Sequence, residues 1–412
     1  MRIGIFSDTY PPFINGVSTS IRMLEDELRK KGHTVYIVTV NSENMSYRQE
    51  NEGRVLRIPG VPTGIYDYRL TSFYPFKAFN IIKEWNLDVI HTQTEFGIGT
   101  FARVVGKQLN IPVVHTYHTM YEDYVHYITK GYFKQPSRKI VEYITKFYCD
   151  KTIKELIVPT KKTYNLFKDK YKFDRNVHII PTGINVENFY KENVDWKEIE
   201  KLRKKYGIKD NEKTLLYLGR VAKEKSIDFL INSQVKILEK FSNCKLMIVG
   251  DGPDLEEYKE LAKSKGIEDN VIFVGKVPWE QTKLYYNMAD IFVTASVTET
   301  QGLTVVEAMA ASKPVVAIND ESFNTTVIAD LTGFLFKTKK EYIESIEKLL
   351  SDYALIENMG NQGRVNSLAY SSSFFAERVL NVYKLAIGEG QNHDKRFSTR
   401  VKDVFIRGIH GE

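Results

Sequence analysis

The sequence predicts an α/β protein built from two doubly wound, largely parallel sheets with a hinge between them. Three observations carry that expectation. Short apolar runs alternate with helical patterns along most of the chain, which is the signature of parallel strands joined by crossover helices. The alternation breaks once, at the polar residues 182–195 (TGINVENFYKENVD), and then resumes. A chain of 412 residues is also too long for one ordinary core, so two domains are the natural division.

The elements follow in order. Residues 2–8 read as a strand, and a loop over 9–19 carries Asn15-Gly16. A helix comes next, with Val17, Ile21, Leu24 and Leu28 on one face. Gly16 allows a ligand close to the backbone and equally suits a tight turn. A G-x-G-x-x-G fingerprint is missing, so this opening gives little support to dinucleotide binding. Further strands are expected at 35–40, 54–58, 88–92, 113–116, 156–159 and 178–181. After the hinge the runs TLLYLGR, KLMIVGDG, VIFVGKV, DIFVTAS, PVVAIN and TGFLF read as a second set. Helices over 361–370 and 374–387 follow, and no residue-level repeat relates the two halves. Ligands of open α/β sheets bind beyond the carboxyl ends of the strands, so the site is expected in a cleft between the two sheets.

Composition narrows the class. An apolar fraction of 42% describes a globular protein, and no apolar run approaches the roughly 18 residues of a spanning helix. The opening MRIGIFSDTY enters a strand without a signal-peptide layout. Cys149 and Cys244 are far apart and lack metal-ligand spacing, which fits a reducing cytoplasm. A net charge of +6 is mildly basic. Nucleic acid, an anionic membrane or an anionic substrate could each account for it. Nucleic-acid binding also calls for stacking aromatics or a recognition helix, and neither is evident.

Chemistry concentrates in residues 291–318, IFVTASVTETQGLTVVEAMAASKPVVAI. A buried strand runs into a polar turn, a helix follows from Leu303, and Pro314 ends it before the next strand. The loop therefore leaves a carboxyl strand end, and the helix presents unpaired N–H groups and a positive dipole end, a setting for a phosphate or diphosphate. Glu299 lies in the loop and Glu307 eight positions on, in the helix. Carboxylates accept hydrogen bonds from sugar hydroxyls. An anion flanked by polyols is a nucleoside diphosphate sugar.

Two such carboxylates would repel a diphosphate, so cations must stand nearby. Arg220 and Lys225 leave the first strand end of the second half at a spacing that lets them converge on one anion, while Lys223 and Glu224 read as solvent-facing. Asp251 and Gly252 form another strand-end turn, either a plain turn or a lining of the donor site. In the first half, HTYHTMYEDYVHY carries His115, His118, Glu122, Asp123 and His126. On a strand, His115 and His118 would diverge, which argues against a metal site. Asp-x-Asp occurs nowhere, so a metal–diphosphate clamp has no obvious ligands and no metal or other cofactor is expected.

The segment ETQGLTVVEAMA, with Glu299 and Glu307 separated by seven residues, resembles the signature of retaining GT-B glycosyltransferases of family four. The resemblance extends to about Gly388 and implies two Rossmann-like domains, residues 1–183 and 184–371, with a C-terminal helix within 372–412 crossing back to the first. It implies that Glu299 faces the donor sugar and Glu307 the ribose. Arg220 and Lys225 would hold the diphosphate, together with the Gly16 loop and the Gly302-Leu303-Thr304 helix start. It also places His118 at the reaction centre. The backbone around Val277 would read the uracil edge, and Glu122, Asp123 and His126 would stand on the acceptor side; His126 equally suits a helix surface. His115–Tyr127 with SVTETQGLT is similar to a narrower group, bacterial glucosyltransferases that use UDP-glucose as donor and diacylglycerol as acceptor. A different donor sugar or acceptor (a glycolipid, a phosphoinositide or a soluble sugar) is the alternative within the family, and a sugar-nucleotide epimerase is another.

The chain can be asked directly about a lipid acceptor. Residues 130–172 hold twelve Lys and Arg against four Asp and Glu, so the basicity is local to the first half. Ile140, Val141, Ile144, Phe147 and Tyr148 form a helical stripe there, which suits core packing as well as a membrane. Residues 64–79 add six aromatics among basic residues. Such mixtures bind membrane interfaces. The expectation is a peripheral protein on the cytoplasmic membrane face, with no nucleic-acid partner. The basic tail, residues 391–412, would lie on membrane or protein.

Overall fold

The computed structural model describes residues 1–13, 15–62, 69–71, 75–118, 142 and 152–388. Chain contacts divide it into two units. One comprises Met1–Gly183 with the chain from Ser372, the other Ile184–Ser371.

The first unit opens with β1 (Arg2–Phe6), α1 (Gly16–Lys30), β2 (Thr34–Val40), β3 (Arg48–Glu50), β4 (Val55–Ile58) and a small hairpin of β5 (Val61–Pro62) and β6 (Arg69–Leu70). It continues through α2 (Phe76–Glu84), β7 (Val89–Thr92), α3 (Gly97–Leu109), β8 (Val113–Thr116), β9 (Glu155–Val158), α4 (Lys161–Asn165) and β10 (Asn176–Ile179). The sheet order is β10-β9-β8-β7-β1-β2-β4-β3, parallel except for β3. Order reverses between β1 and β7, so the crevice of this sheet opens beyond Phe6 and Thr92. The Asn15 side chain caps α1 by accepting from Ser18 N–H. Ile21, Leu24 and Leu28 bury one face, as their spacing predicts.

The second unit holds α5 (Trp196–Lys205), β11 (Lys213–Leu218), α6 (Ile227–Lys240), β12 (Cys244–Val249), α7 (Leu255–Ser264) and β13 (Val271–Gly275). After these come α8 (Trp279–Met288), β14 (Ile291–Thr294), α9 (Leu303–Ala310), β15 (Val315–Ile318), β16 (Gly333–Phe336), α10 (Lys339–Ser351) and α11 (Tyr353–Ser367). Its sheet is all parallel, in the order β13-β12-β11-β14-β15-β16. The apolar runs TLLYL and IFVT are buried because helices cover both faces, the usual setting of a parallel sheet. Here the order reverses between β11 and β14.

Two expectations need correction. Residues 182–195 are not a free polar hinge. Ile184, Val186 and Phe189 are buried in the core of the second unit, and the Phe189 ring meets Tyr286 edge-on at 5.6 Å. Three apolar side chains in a polar segment have enough surface to dock the chain. The helix expected at 361–370 is the end of a longer one that starts at Tyr353, where Asp352 accepts from Leu355 N–H. The last described helix, α12 (Ser372–Ile387), packs into the first unit, as the resemblance implied. Phe375, Val379 and Tyr383 share a core with Ile21, Leu24 and Leu28 of α1.

Gly302 combines a left-handed backbone with close packing. It precedes α9 with φ +72°, and a Cβ there would lie 2.4 Å from a ring carbon of Phe323. Left-handed backbone costs a non-glycine residue roughly 1–2 kcal/mol, and overpacking adds about 1–3 kcal/mol. Gly302→Ala is therefore expected to destabilise the second unit by about 2–4 kcal/mol in denaturant unfolding. A change below about 0.5 kcal/mol, the scale of an ordinary surface substitution, would mean the loop relaxes freely.

Candidate active site

The loops after β11 and β14 meet at the reversal point of the second sheet. β11 ends at Leu218, and a short 3-10 turn, Lys223–Lys225, precedes α6. That turn sends Lys225 inward. Its Nζ donates to Glu299 Oε1 at 2.6 Å, with the lysine side chain 10% and the glutamate 25% exposed. Arg220 pairs with Glu224. The expectation that Glu224 faces solvent is wrong: its side chain is 6% exposed. The cause is the turn itself, which folds Glu224 back over the chain four residues behind it. Thr298 Oγ1 donates to the Glu224 carbonyl at 3.3 Å and ties the two loops together. Lys223 does face solvent, paired with Glu257.

Beside Glu299 the helix α9 starts without help from its own side chains. Gly302 offers no capping atom, and no acidic residue stands in the first turn. An N–H end without a side-chain cap suits an anion. Leu303 and Thr304 are half-buried there. Glu307 lies deeper. Trp279 Nε1 donates to its Oε1 at 3.3 Å and the Tyr286 hydroxyl donates to Oε2 at 2.7 Å. Burial outweighs those two donors and pushes the carboxyl up to about 7.

Gly252 and Asp251 belong to a neighbouring turn that is welded to the β11 loop. A Cβ on Gly252 would sit 2.1 Å from the Val221 carbonyl oxygen, so only glycine allows the approach. Val221 N–H donates to the Asp251 carbonyl at 3.0 Å, while the Asp251 carboxylate accepts from Gly252 N–H. Val277 is half-buried against the same core as Trp279.

Gly16 and His118 belong to the first unit. Gly16 begins α1, and a Cβ there would meet nothing within 4 Å, so close packing does not require it. His118 follows β8, and its Nε2 lies 2.7 Å from Gln93 Oε1. Burial lowers it to about 4, with Glu95 opposing. His115 lies 3.1 Å from Glu95 and 2.6 Å from Thr92 Oγ1. The two histidines do not diverge as strand alternation suggested. β8 ends at Thr116, so His118 is outside the strand and turns to the same loop that His115 meets. Glu122, Asp123 and His126 lie outside the described residues, as do the stripe at 140–148 and the tail at 391–412. Among the described residues no three His, Cys, Asp or Glu side chains are grouped to hold a metal ion.

The profile of Glycosyltransferase Family 4 matches residues 14–188, and that of Glycosyl transferases group 1 matches residues 198–366. The chain is 40% identical to the alpha-monoglucosyldiacylglycerol synthase of Streptococcus pneumoniae, over 94% of this chain and 86% of that protein. It belongs to the family-four glycosyltransferases. The synthase of the same name from Acholeplasma laidlawii is 34% identical, over 93% of this chain and 96% of that protein. Sucrose-phosphate synthase from Thermosynechococcus elongatus shares the fold at a TM-score of 0.74 and 22% identity, over 94% of this chain and 99% of the other. The fold is GT-B.

In this glycosyltransferase, most of the predicted donor set is gathered on one unit: Arg220, Lys225, Asp251, Gly252, Val277, Glu299, Gly302, Leu303, Thr304 and Glu307 all lie in Ile184–Ser371, while Gly16 lies in the first unit. Several site residues escaped sequence reasoning. Glu224 could have been found from its four-residue spacing to Arg220. Trp279 and Tyr286 carried only the signal of ordinary core aromatics. Asp8, His91, Gln93 and Glu95 stand at the reversal point of the first sheet, and their only mark was polarity at the end of an apolar run. Asp8 accepts from Ile98 N–H at 3.0 Å and from Thr94 Oγ1, and burial raises its carboxyl to about 6.

Proposed function

We propose that this glycosyltransferase is a retaining enzyme that moves glucose from UDP-glucose to the 3-hydroxyl of 1,2-diacylglycerol, giving α-monoglucosyldiacylglycerol at the cytoplasmic membrane face. The observation that carries the donor half is the Lys225–Glu299 contact beside the uncapped start of α9. An ammonium has three donors. Lys225 can therefore keep Glu299 and meet a phosphate oxygen together. The acceptor half rests on two relatives named for monoglucosyldiacylglycerol synthesis, each aligned over more than nine-tenths of this chain.

The chemistry follows from charge. The bond from glucose C1 to the β-phosphate oxygen breaks, and a new bond forms from C1 to the acceptor oxygen on the same face. The acceptor proton passes to the departing diphosphate. Negative charge grows on that diphosphate, where Arg220, Lys225 and the α9 amides stand ready to stabilise it, so the proposal needs no metal. Glu299 orients the sugar and Glu307 accepts from the ribose hydroxyls. His118 lies at the reaction centre, and Glu122, Asp123 and His126 are the acceptor candidates.

Membrane contact is proposed to be peripheral. Among the described residues no helix is long and apolar enough to cross a membrane. Within the basic segment Lys154 and Lys168 are spent on backbone carbonyls of Ala386 and Phe173, while Lys161, Lys170 and Lys172 are exposed. Each exposed cation near an anionic surface contributes about 1 kcal/mol.

The test is a matrix of acceptors with radiolabelled UDP-glucose and the full chain on anionic liposomes. Diacylglycerol, monoglucosyl lipid and soluble sugars are offered separately, with and without EDTA. The expected product is α-glucosyl diacylglycerol, undiminished by EDTA. Label appearing only on a soluble sugar, or release of UDP without any acceptor, would overturn the reading.

A further inference from the structure

We propose that Gln93 is the positioning residue for His118. Its carbonyl oxygen holds the imidazole in the tautomer with the proton on Nε2, so that Nδ1 is left as an acceptor for substrate. The inference rests on the reading above that His118 serves the reaction centre.

A buried chain of contacts runs from α12 to His118. Tyr383 reaches in from α12, and its hydroxyl lies 2.7 Å from His91 Nδ1. Thr116 Oγ1 lies 2.7 Å from the other ring nitrogen. Both sides of the His91 ring are thereby fixed, and burial lowers its pKa well below the ordinary value, so the ring is neutral. The Gln93 amide nitrogen lies 3.1 Å from both His91 ring nitrogens. Equal distance to the two nitrogens places the amide nitrogen over the face of the ring, where an N–H meets the π system favourably and a carbonyl oxygen does not. The other end of the amide, Oε1, faces His118.

Oε1 can only accept. The His118 Nε2 it meets at 2.7 Å must therefore be the protonated nitrogen. Among the described residues, Gln93 is the hydrogen-bond partner of the His118 ring, through Nε2. The described titratable groups that act on His118 are Glu95, which follows β7, and His115, on β8. Glu95 is already engaged by His115 at 3.1 Å. The ring that results is neutral, single in tautomer, and set from α12 through two intermediates.

Nitrogen-15 NMR on the full chain with labelled histidine tests the first half. The wild type is expected to show His118 protonated at Nε2 and bare at Nδ1 near pH 7. A signal for the opposite tautomer overturns the inference and leaves the role of His118 untouched. Steady-state kinetics test the second half. Gln93→Ala is expected to mix the tautomers and lower kcat about tenfold or more, with the UDP-glucose KM within about threefold. Gln93→Glu keeps an acceptor but adds a negative charge beside Nε2. It should favour the imidazolium, so kcat acquires an acid limb at higher pH than any in the wild type. A tautomer that shifts in Gln93→Ala with turnover unchanged overturns the link to transfer, and with it the place of His118 in the reaction. If the alanine variant does not fold, the wild-type spectrum and the Gln93→Glu profile still decide.

Discussion

Lys225→Ala is expected to lower kcat/KM for UDP-glucose by about 10²–10³-fold, which is the loss of one preorganised charge contact in a closed site. Two effects act in the same direction. The ammonium is the partner of Glu299 at 2.6 Å, and its removal leaves a carboxylate without its cation where an anion must bind. On the proposed mechanism, the departing diphosphate would also lose a positive charge. Lys225 is largely buried, so water cannot replace it well. Lys225→Arg should recover less than about tenfold, because a planar guanidinium does not fit a site built for a compact ammonium. Single-turnover measurements separate binding from chemistry. A loss under threefold would show that the lysine serves stability and not transfer.

Glu307 gives the second large effect, in its pH dependence. Burial raises its carboxyl from 4.5 to about 7 in the free protein. Between those values the folded chain holds a proton that the unfolded chain has released. Stability is therefore fully present below about 4.5 and is lost as pH rises through 7, by at most about 3 kcal/mol. Glu307→Gln, neutral at every pH, should flatten that part of the stability curve. Donor binding should run the opposite way. On the proposed ribose role, the hydroxyls would donate to the ionised carboxylate and binding would expel the proton, so affinity should rise up to about tenfold per pH unit below 7. UDP-glucose is the proper ligand, because its diphosphate is esterified at both ends and does not titrate there. Glu307→Gln should bind it about 10-fold more weakly and without the pH slope, the cost of losing a charged acceptor. Affinity that is flat in the wild type, or that falls as pH rises, would sink the ribose role.

The sheets were legible because a parallel strand buried on both faces must be apolar along its length, as TLLYL and IFVT are. The candidate anion site, which remains a proposal, was suggested for a related reason. Anion chemistry needs a glycine before a helix and cations at a strand end, and Gly302, Arg220 and Lys225 announce themselves. What stayed hidden depended on turns or on distance. Glu224 became buried only because a single 3-10 turn folds it back onto Arg220, and sequence carries little signal for one turn. Val186 and Phe189 looked like passengers in a polar segment, although each fills the core of the second unit. Gln93 acquires a role only because β7 and β8 are neighbours, which brings His118 beside it from 25 residues away.

The return of α12 to the first unit bears on how the protein is made. Ile21, Leu24 and Leu28 are covered by residues that leave the ribosome only after Ile184–Ser371 has been synthesised. At about 5–20 residues per second, that interval is roughly 10–40 s. During it the nascent first unit carries an open apolar seam, and His91 waits for the hydroxyl of Tyr383. A messenger cut short before codon 372 would yield a chain that lacks this cover altogether, a natural client for chaperones and proteases.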